Sequence, residues 1–151
     1  MPDEARQETE EGLIAFAEHW YDLVNYTYES GNSEPLRAIS GPRCTAANFV
    51  LDQVETGYQG DDWIAGADIE LNFTWSEYTK NEYGYYIVYA DMMQDDIRFY
   101  SPEAGLLATN AGSENPFIQA VAAKFTEQGW LAEDVLTLDV PFEGPPGVTF
   151  D

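Results

Sequence analysis

The hydrophobic period of this chain changes once, near residue 60, and that change limits the fold more than any other feature. Before it, apolar residues recur at steps of three and four. Leu13, Phe16, Ala17, Trp20, Leu23, Val24 and Thr27 form one stripe, flanked by Ile14, Tyr21 and Tyr28, which predicts a helix from about Glu8 to Ser30 with Gly31 as its stop. Asn32 or Ser33 can cap a short second helix with Pro35 in its first turn. Ala47, Val50, Leu51, Val54 and Tyr58 give a third helix, from about Cys44 to Thr56, a buried side. Beyond residue 60 the period is two. Ile69, Leu71, Phe73 and Trp75 alternate with polar residues, as a half-buried strand does. Tyr83 to Met93, Ile97 to Tyr100 and Leu106 to Thr109 read as further strands. Phe117 to Phe125 and Trp130 to Leu138 read as a hairpin around Thr126-Glu127-Gln128-Gly129.

Helices first and antiparallel strands after them imply an α+β fold, with helices packed on one face of a curved sheet. At 151 residues, 44% of them hydrophobic, the chain fits one domain with a sizeable core. Residues 1–8 and 141–151 are expected to be irregular ends, the latter because of Pro141, Pro145 and Pro146.

Charge narrows the partners. The sequence has 28 acids against 6 bases, a formal net charge of −22. Such a surface repels phosphate backbones and anionic lipid, so nucleic acid is excluded as an expected partner. The acids are read first as a solvating surface; a salt-rich habitat, an extracytoplasmic setting and a docking face for a basic partner are the alternatives. No apolar run approaches the length of a transmembrane helix, and Met1-Pro2-Asp3-Glu4 does not read as a signal peptide.

Candidates for chemistry are few. His19 is the single histidine, one step off the helical stripe beside Phe16 and Leu23. It is the candidate general base, although Glu18 and Asp22 are expected to turn away from it. Tyr83, Tyr85 and Tyr89 are expected on one face of a strand and Tyr86 on the other, with Tyr100 on the next. Tyr85, Tyr89, Tyr100 and Trp20 are the candidate ligand contacts, because aromatic rings with polar tips suit a pocket. They equally suit cross-strand packing or a protein interface. Asp61-Asp62 and Asp95-Asp96 lack the spacing of a calcium loop, and one cysteine makes no thiolate site, so no metal and no cofactor is expected. Cys44 reads as a small buried residue, able to link two copies only if exposed.

A long helix, two short ones and a meander ending in a hairpin with Gly129-Trp130 are similar to the cone-shaped fold of the nuclear transport factor two superfamily, a cystatin-like arrangement of helices on a curved sheet. The run Phe16-x-x-x-Trp20-Tyr21-x-x-x-Asn25-Tyr26-x-x-x-x-Gly31, then Leu36, Ser40, Cys44 and Trp63-Ile64-x-Gly66, resembles an uncharacterised family of actinobacterial surface lipoproteins. Where that family carries Cys-x-x-Cys, this chain has Cys44 followed by Ala47. The resemblance implies a lipid-anchored, extracytoplasmic protein but transfers no activity. Two functions are therefore expected: a non-catalytic binding module for an unidentified protein or small molecule, possible as a homodimer, or a cone-fold pocket enzyme doing proton-transfer chemistry.

Overall fold

The computed structural model describes residues 1–138; the expected irregular end at 141–151 lies outside them. The order is α1 (Glu10–Ser30), α2 (Glu34–Ala38), α3 (Thr45–Gly57), then β1 (Trp63–Gly66), β2 (Ile69–Trp75), β3 (Tyr86–Gln94), β4 (Ile97–Ser101), β5 (Gly105–Asn110), β6 (Phe117–Thr126) and β7 (Gly129–Thr137). The fold is α+β, with the helices packed against antiparallel sheets.

Local chemistry sets the helix ends. The Thr9 side chain accepts from the Gly12 amide at 2.9 Å and opens α1. Gly31 closes it at φ 77°, a left-handed turn that a side chain would strain. The expected stripe is buried, except that Leu23 is only half-buried, while the flanking Tyr21 and Tyr28 are fully inside. Within the expected irregular end at residues 1–8, Asp3–Arg6 form a 3-10 turn and Ala5 is completely buried.

The strands divide into two sheets rather than one meander. One has the order β2-β3-β6-β7 and the other β1-β4-β5. The expected continuation at Leu106 to Thr109 therefore belongs to a second sheet, in which it joins β4 and a four-residue strand, β1, too short for periodicity to reveal. β2 departs from simple alternation. Leu71 pairs with Met92 and Phe73 with Asp91, so Asn72 is an extra residue in the ladder, a β-bulge. The bulge moves Phe73 and Trp75 to the face opposite Leu71, and Trp75 stacks on Tyr89 at 5.7 Å. Tyr83 and Tyr85 also leave the expected strand. The Asn81 side chain accepts from both of their amides, at 2.9 and 3.0 Å, and holds them in a turn before β3.

The core lies between α1 and the inner face of the four-stranded sheet. Tyr86, Val88, Ala90 and Met92 of β3 alternate inward, paired with Ala123, Val121, Gln119 and Phe117 of β6. The sheet's edges are held by the helical layer. Asn25 donates to the Ile69 carbonyl at 2.9 Å and accepts from the Ile69 amide at 2.8 Å, so its side chain acts as a one-residue strand beside β2. At the other edge, the Ala132 amide donates to the Ile39 carbonyl (2.9 Å) and the Gly41 amide to the Ala132 carbonyl (2.8 Å).

Candidate functional site: an uncharged pocket at the end of the first helix

Beside the C-terminal half of α1 lies a pocket of about 390 Å³. Trp20, Val24 and Tyr28 of α1 form one wall. Thr45, Ala46, Phe49 and Val50 from the start of α3 form a second. The inner sheet face supplies Ile69, Gln94, Phe117, Gln119, Val135 and Thr137. The volume is at the lower end of the range for small-molecule sites. None of these thirteen residues carries a charge, in a chain with 28 acids.

The polar groups of the pocket are nearly all committed. The Trp20 Nε1–H donates to Ser40 Oγ at 2.9 Å, and that hydroxyl donates to the Leu36 carbonyl at 2.8 Å. The Tyr21 hydroxyl donates to Gln119 Oε1 at 2.9 Å, while Gln119 Nε2 donates to Thr137 Oγ1 at 3.1 Å. Gln94 Nε2 donates to the Ala67 carbonyl at 3.1 Å. Among the described residues the one buried side-chain polar atom without a hydrogen-bond partner is the hydroxyl of Tyr28, a residue 2% exposed. Burial pushes its pKa up to about 12, and the neighbouring Gln94 side chain offsets this only in part. The Gln94 side chain faces the hydroxyl as a hydrogen-bond partner would, but outside the distance and angle of a full bond.

The expected site residues do not converge. Trp20 lines the pocket. Tyr89 lies on the outer face of the same sheet with Trp75, Tyr100 stacks on Trp63 in the other sheet (5.4 Å), and half-buried Tyr85 stands in the turn before β3. His19 lines a separate open groove with Glu10, Glu11, Glu18 and Asp22. Asp22, three positions along the helix, thus faces His19 after all, and Glu18, although one position away, lines the same groove. Burial lowers the His19 pKa, the Met1 ammonium lowers it further, and Asp22 opposes both. Cys44 is fully buried, and burial raises its pKa, so it offers no link between copies. Among the described residues no group of three or more His, Cys, Asp or Glu could hold a metal. No helix among them is long and apolar enough to cross a membrane.

Sequence reasoning placed Tyr28 only at the rim of the stripe and passed over Gln94 and Gln119. The signal for both glutamines is parity. Gln94 continues the inward series of Val88, Ala90 and Met92, and Gln119 that of Phe117 and Val121. A polar residue at a core position marks a place where the core is not closed.

Helices over antiparallel sheets, with an uncharged pocket between the layers, define the structural class: an α+β fold with a side pocket. The chain belongs to DUF6318, a family of unknown function whose pattern matches residues 1–136. No curated protein matches it. Among solved structures, the intermembrane space region of the chloroplast protein ARC6 is similar, with a TM-score of 0.58 and 13% identity over 86% of this chain and 96% of that one. Aln2 from a Streptomyces species gives a TM-score of 0.49 and 7% identity over 85% and 91%. The first likeness is one of fold alone, and the second is too loose to argue from.

Proposed function

We propose that the protein is a non-catalytic binding module whose pocket takes a small, uncharged, mostly apolar molecule bearing one hydrogen-bond-accepting oxygen. The observation that carries this reading is the Tyr28 hydroxyl. Leaving a buried donor unbonded costs about 1–3 kcal/mol; the hydroxyl is covered in the free protein, and a ligand oxygen that reaches it through a shift of the pocket wall would recover that cost. The absence of charge from the lining favours a neutral ligand, because a buried ion there would find no counter-charge. The lining holds no group that titrates near neutrality, which supports binding over proton transfer. A cone-fold enzyme working through His19 would need that residue in this pocket, and it stands in the acidic groove instead.

Prodan, a neutral naphthyl ketone with polarity-dependent fluorescence, tests the reading. It is expected to bind with a blue shift and to outcompete the anionic naphthalene sulfonate ANS. Tyr28→Phe is expected to weaken prodan about tenfold, by removing a buried hydrogen bond. Ala46→Trp is expected to fill the space and abolish binding. Prodan fluorescence unmoved by the protein, or moved equally by the Ala46→Trp variant, would refute the proposal.

The setting we propose is extracytoplasmic, with the protein lipid-anchored at a cell surface. This rests on the resemblance of the Phe16 to Gly31 run and the Trp63-Ile64-x-Gly66 segment to actinobacterial surface lipoproteins. The order of helices and strands likewise supports a cone-like, nuclear transport factor two-type arrangement. The net charge of −22 favours partners without phosphate groups. Labelling of the full gene product with radioactive palmitate tests the anchor: incorporation supports it, and a product that stays unlabelled in the cytosolic fraction overturns it.

A further inference from the structure

The second sheet ends in a strand unlike the rest of the surface. All six residues of β5 are exposed, with Leu106 at 53% and Leu107 at 54%. Among the described residues no strand pairs with its far side. β5 carries no Lys, no Pro and no acid to blunt its edge, although Leu107 is an extra residue against β4, a β-bulge. It lies within residues 104–113, the longest stretch of the chain without a charged residue. An apolar row also runs to this edge. Trp63 pairs with Tyr100, their rings stacked at an interplanar angle of 10°, and Tyr100 pairs with Leu106. Cross-strand partners share a face, so Trp63, Tyr100 and Leu106 form one ladder across the three strands.

We propose that β5 pairs antiparallel with β5 of a second copy, about a twofold axis at Leu106, joining two three-stranded sheets into one of six. The charge pattern identifies the occupant. Two copies each carrying −22 repel over most of their surfaces, and this charge-free edge is where they can approach closely. The edge is also self-complementary. In antiparallel pairing centred on residue 106, position k meets position 212 − k. Leu106 then meets Leu106 and Gly105 meets Leu107, while the turn residues Ala104 and Glu103 come opposite Ala108 and Thr109 instead of another acid. The row continues across the axis as Trp63, Tyr100, Leu106, then Leu106, Tyr100 and Trp63 of the second copy, while backbone groups of Gly105 to Leu107 extend the ladder. Because backbone bonds and apolar contact hold this interface against net repulsion, added salt strengthens it, opposite to an interface built on ion pairs.

The test is a cysteine at the axis. Leu106→Cys in the full chain places two thiols opposite each other across paired strands, at a spacing a disulfide can bridge. Cys44, being buried, does not compete. Under glutathione oxidation this variant is expected to give a covalent dimer at least about tenfold faster than Tyr83→Cys, an exposed position far from the edge in sequence. In light scattering, wild type is expected to associate more strongly at about 0.5 M than at about 0.05 M NaCl. Leu106→Glu, checked for native circular dichroism, is expected to weaken association by about tenfold or more, since like charges then face each other. Crosslinking no faster than Tyr83→Cys, or association that Leu106→Glu leaves intact, overturns the proposal. So does a chain that stays monomeric in high salt while its β5 amide signals move on adding a neutral extended peptide, which would assign the edge to another partner.

Discussion

The two ends of α1 meet the same sheet in opposite ways. At the N-terminal end contact is complete. Phe16 lies against Trp130, Trp130 meets Tyr86 edge-on at 5.4 Å and Phe125 at 4.9 Å, and the Trp130 Nε1–H donates to the Gln7 carbonyl at 2.9 Å. At the C-terminal end a cavity remains and the Tyr28 hydroxyl has no bonded partner among the described residues. Both ends are built from large aromatics, so residue size does not separate them. Completeness of polar pairing does: the filled end satisfies its indole, and the open end holds a donor in reserve. One helix serves as a fold anchor over its first turns and as a pocket wall over its last.

The largest expected effect breaks the closed end. Trp130→Ala leaves a cavity among Phe16, Tyr86 and Phe125 and removes one of the two bonds to the Gln7 carbonyl, and it should cost about 3–5 kcal/mol in urea unfolding. The next loosens the boundary between the ends. Asn25→Ala removes both bonds to Ile69 and should cost about 1–2 kcal/mol, with faster amide exchange at the start of β2. Tyr28→Phe should act in the reverse sense, stabilising the free protein by about 1 kcal/mol because it deletes an uncompensated desolvation cost, while weakening prodan. Loss of stability there would mean that the open end is as fully bonded as the closed one.

The smallest effect lies outside both ends and serves as a control. The His19 pKa is lowered in the fold, so the unfolded chain binds its proton more readily. The contribution of His19 is complete above its ordinary unfolded value, about 6.5, and is lost as pH falls through that value toward the lower folded one. The groups facing it are the Met1 ammonium, Asp22 and the acids of the groove. His19→Gln should flatten this part of the pH–stability curve and leave prodan binding unchanged.

The helices and most strand positions were legible because period is a local property. The Gly31 stop and the ends of β2 needed no tertiary information. What stayed hidden was decided by pairing. One extra residue at Asn72 transfers Phe73 and Trp75 to the other face, and four residues at Trp63 to Gly66 carry too little pattern to announce a strand. The candidate site was less legible still. Trp20 was singled out for its aromatic character, but the orphan hydroxyl of Tyr28 depends on where Gln94 directs its amide, and no spacing rule records that. Inward glutamines among valines and alanines were the available clue.

The bond from Trp130 to Gln7 spans 123 positions in sequence, and Ala132 and Asp134 likewise hold Ile39, Gly41 and the Thr45 amide at the opening of α3. During synthesis, therefore, the helical layer emerges from the ribosome long before the strand that fixes it exists. Contacts of such separation slow folding, because a long loop must close before they can form. The helices must wait with their apolar stripes uncovered, and the high density of acids along the nascent chain helps keep neighbouring copies apart in that interval.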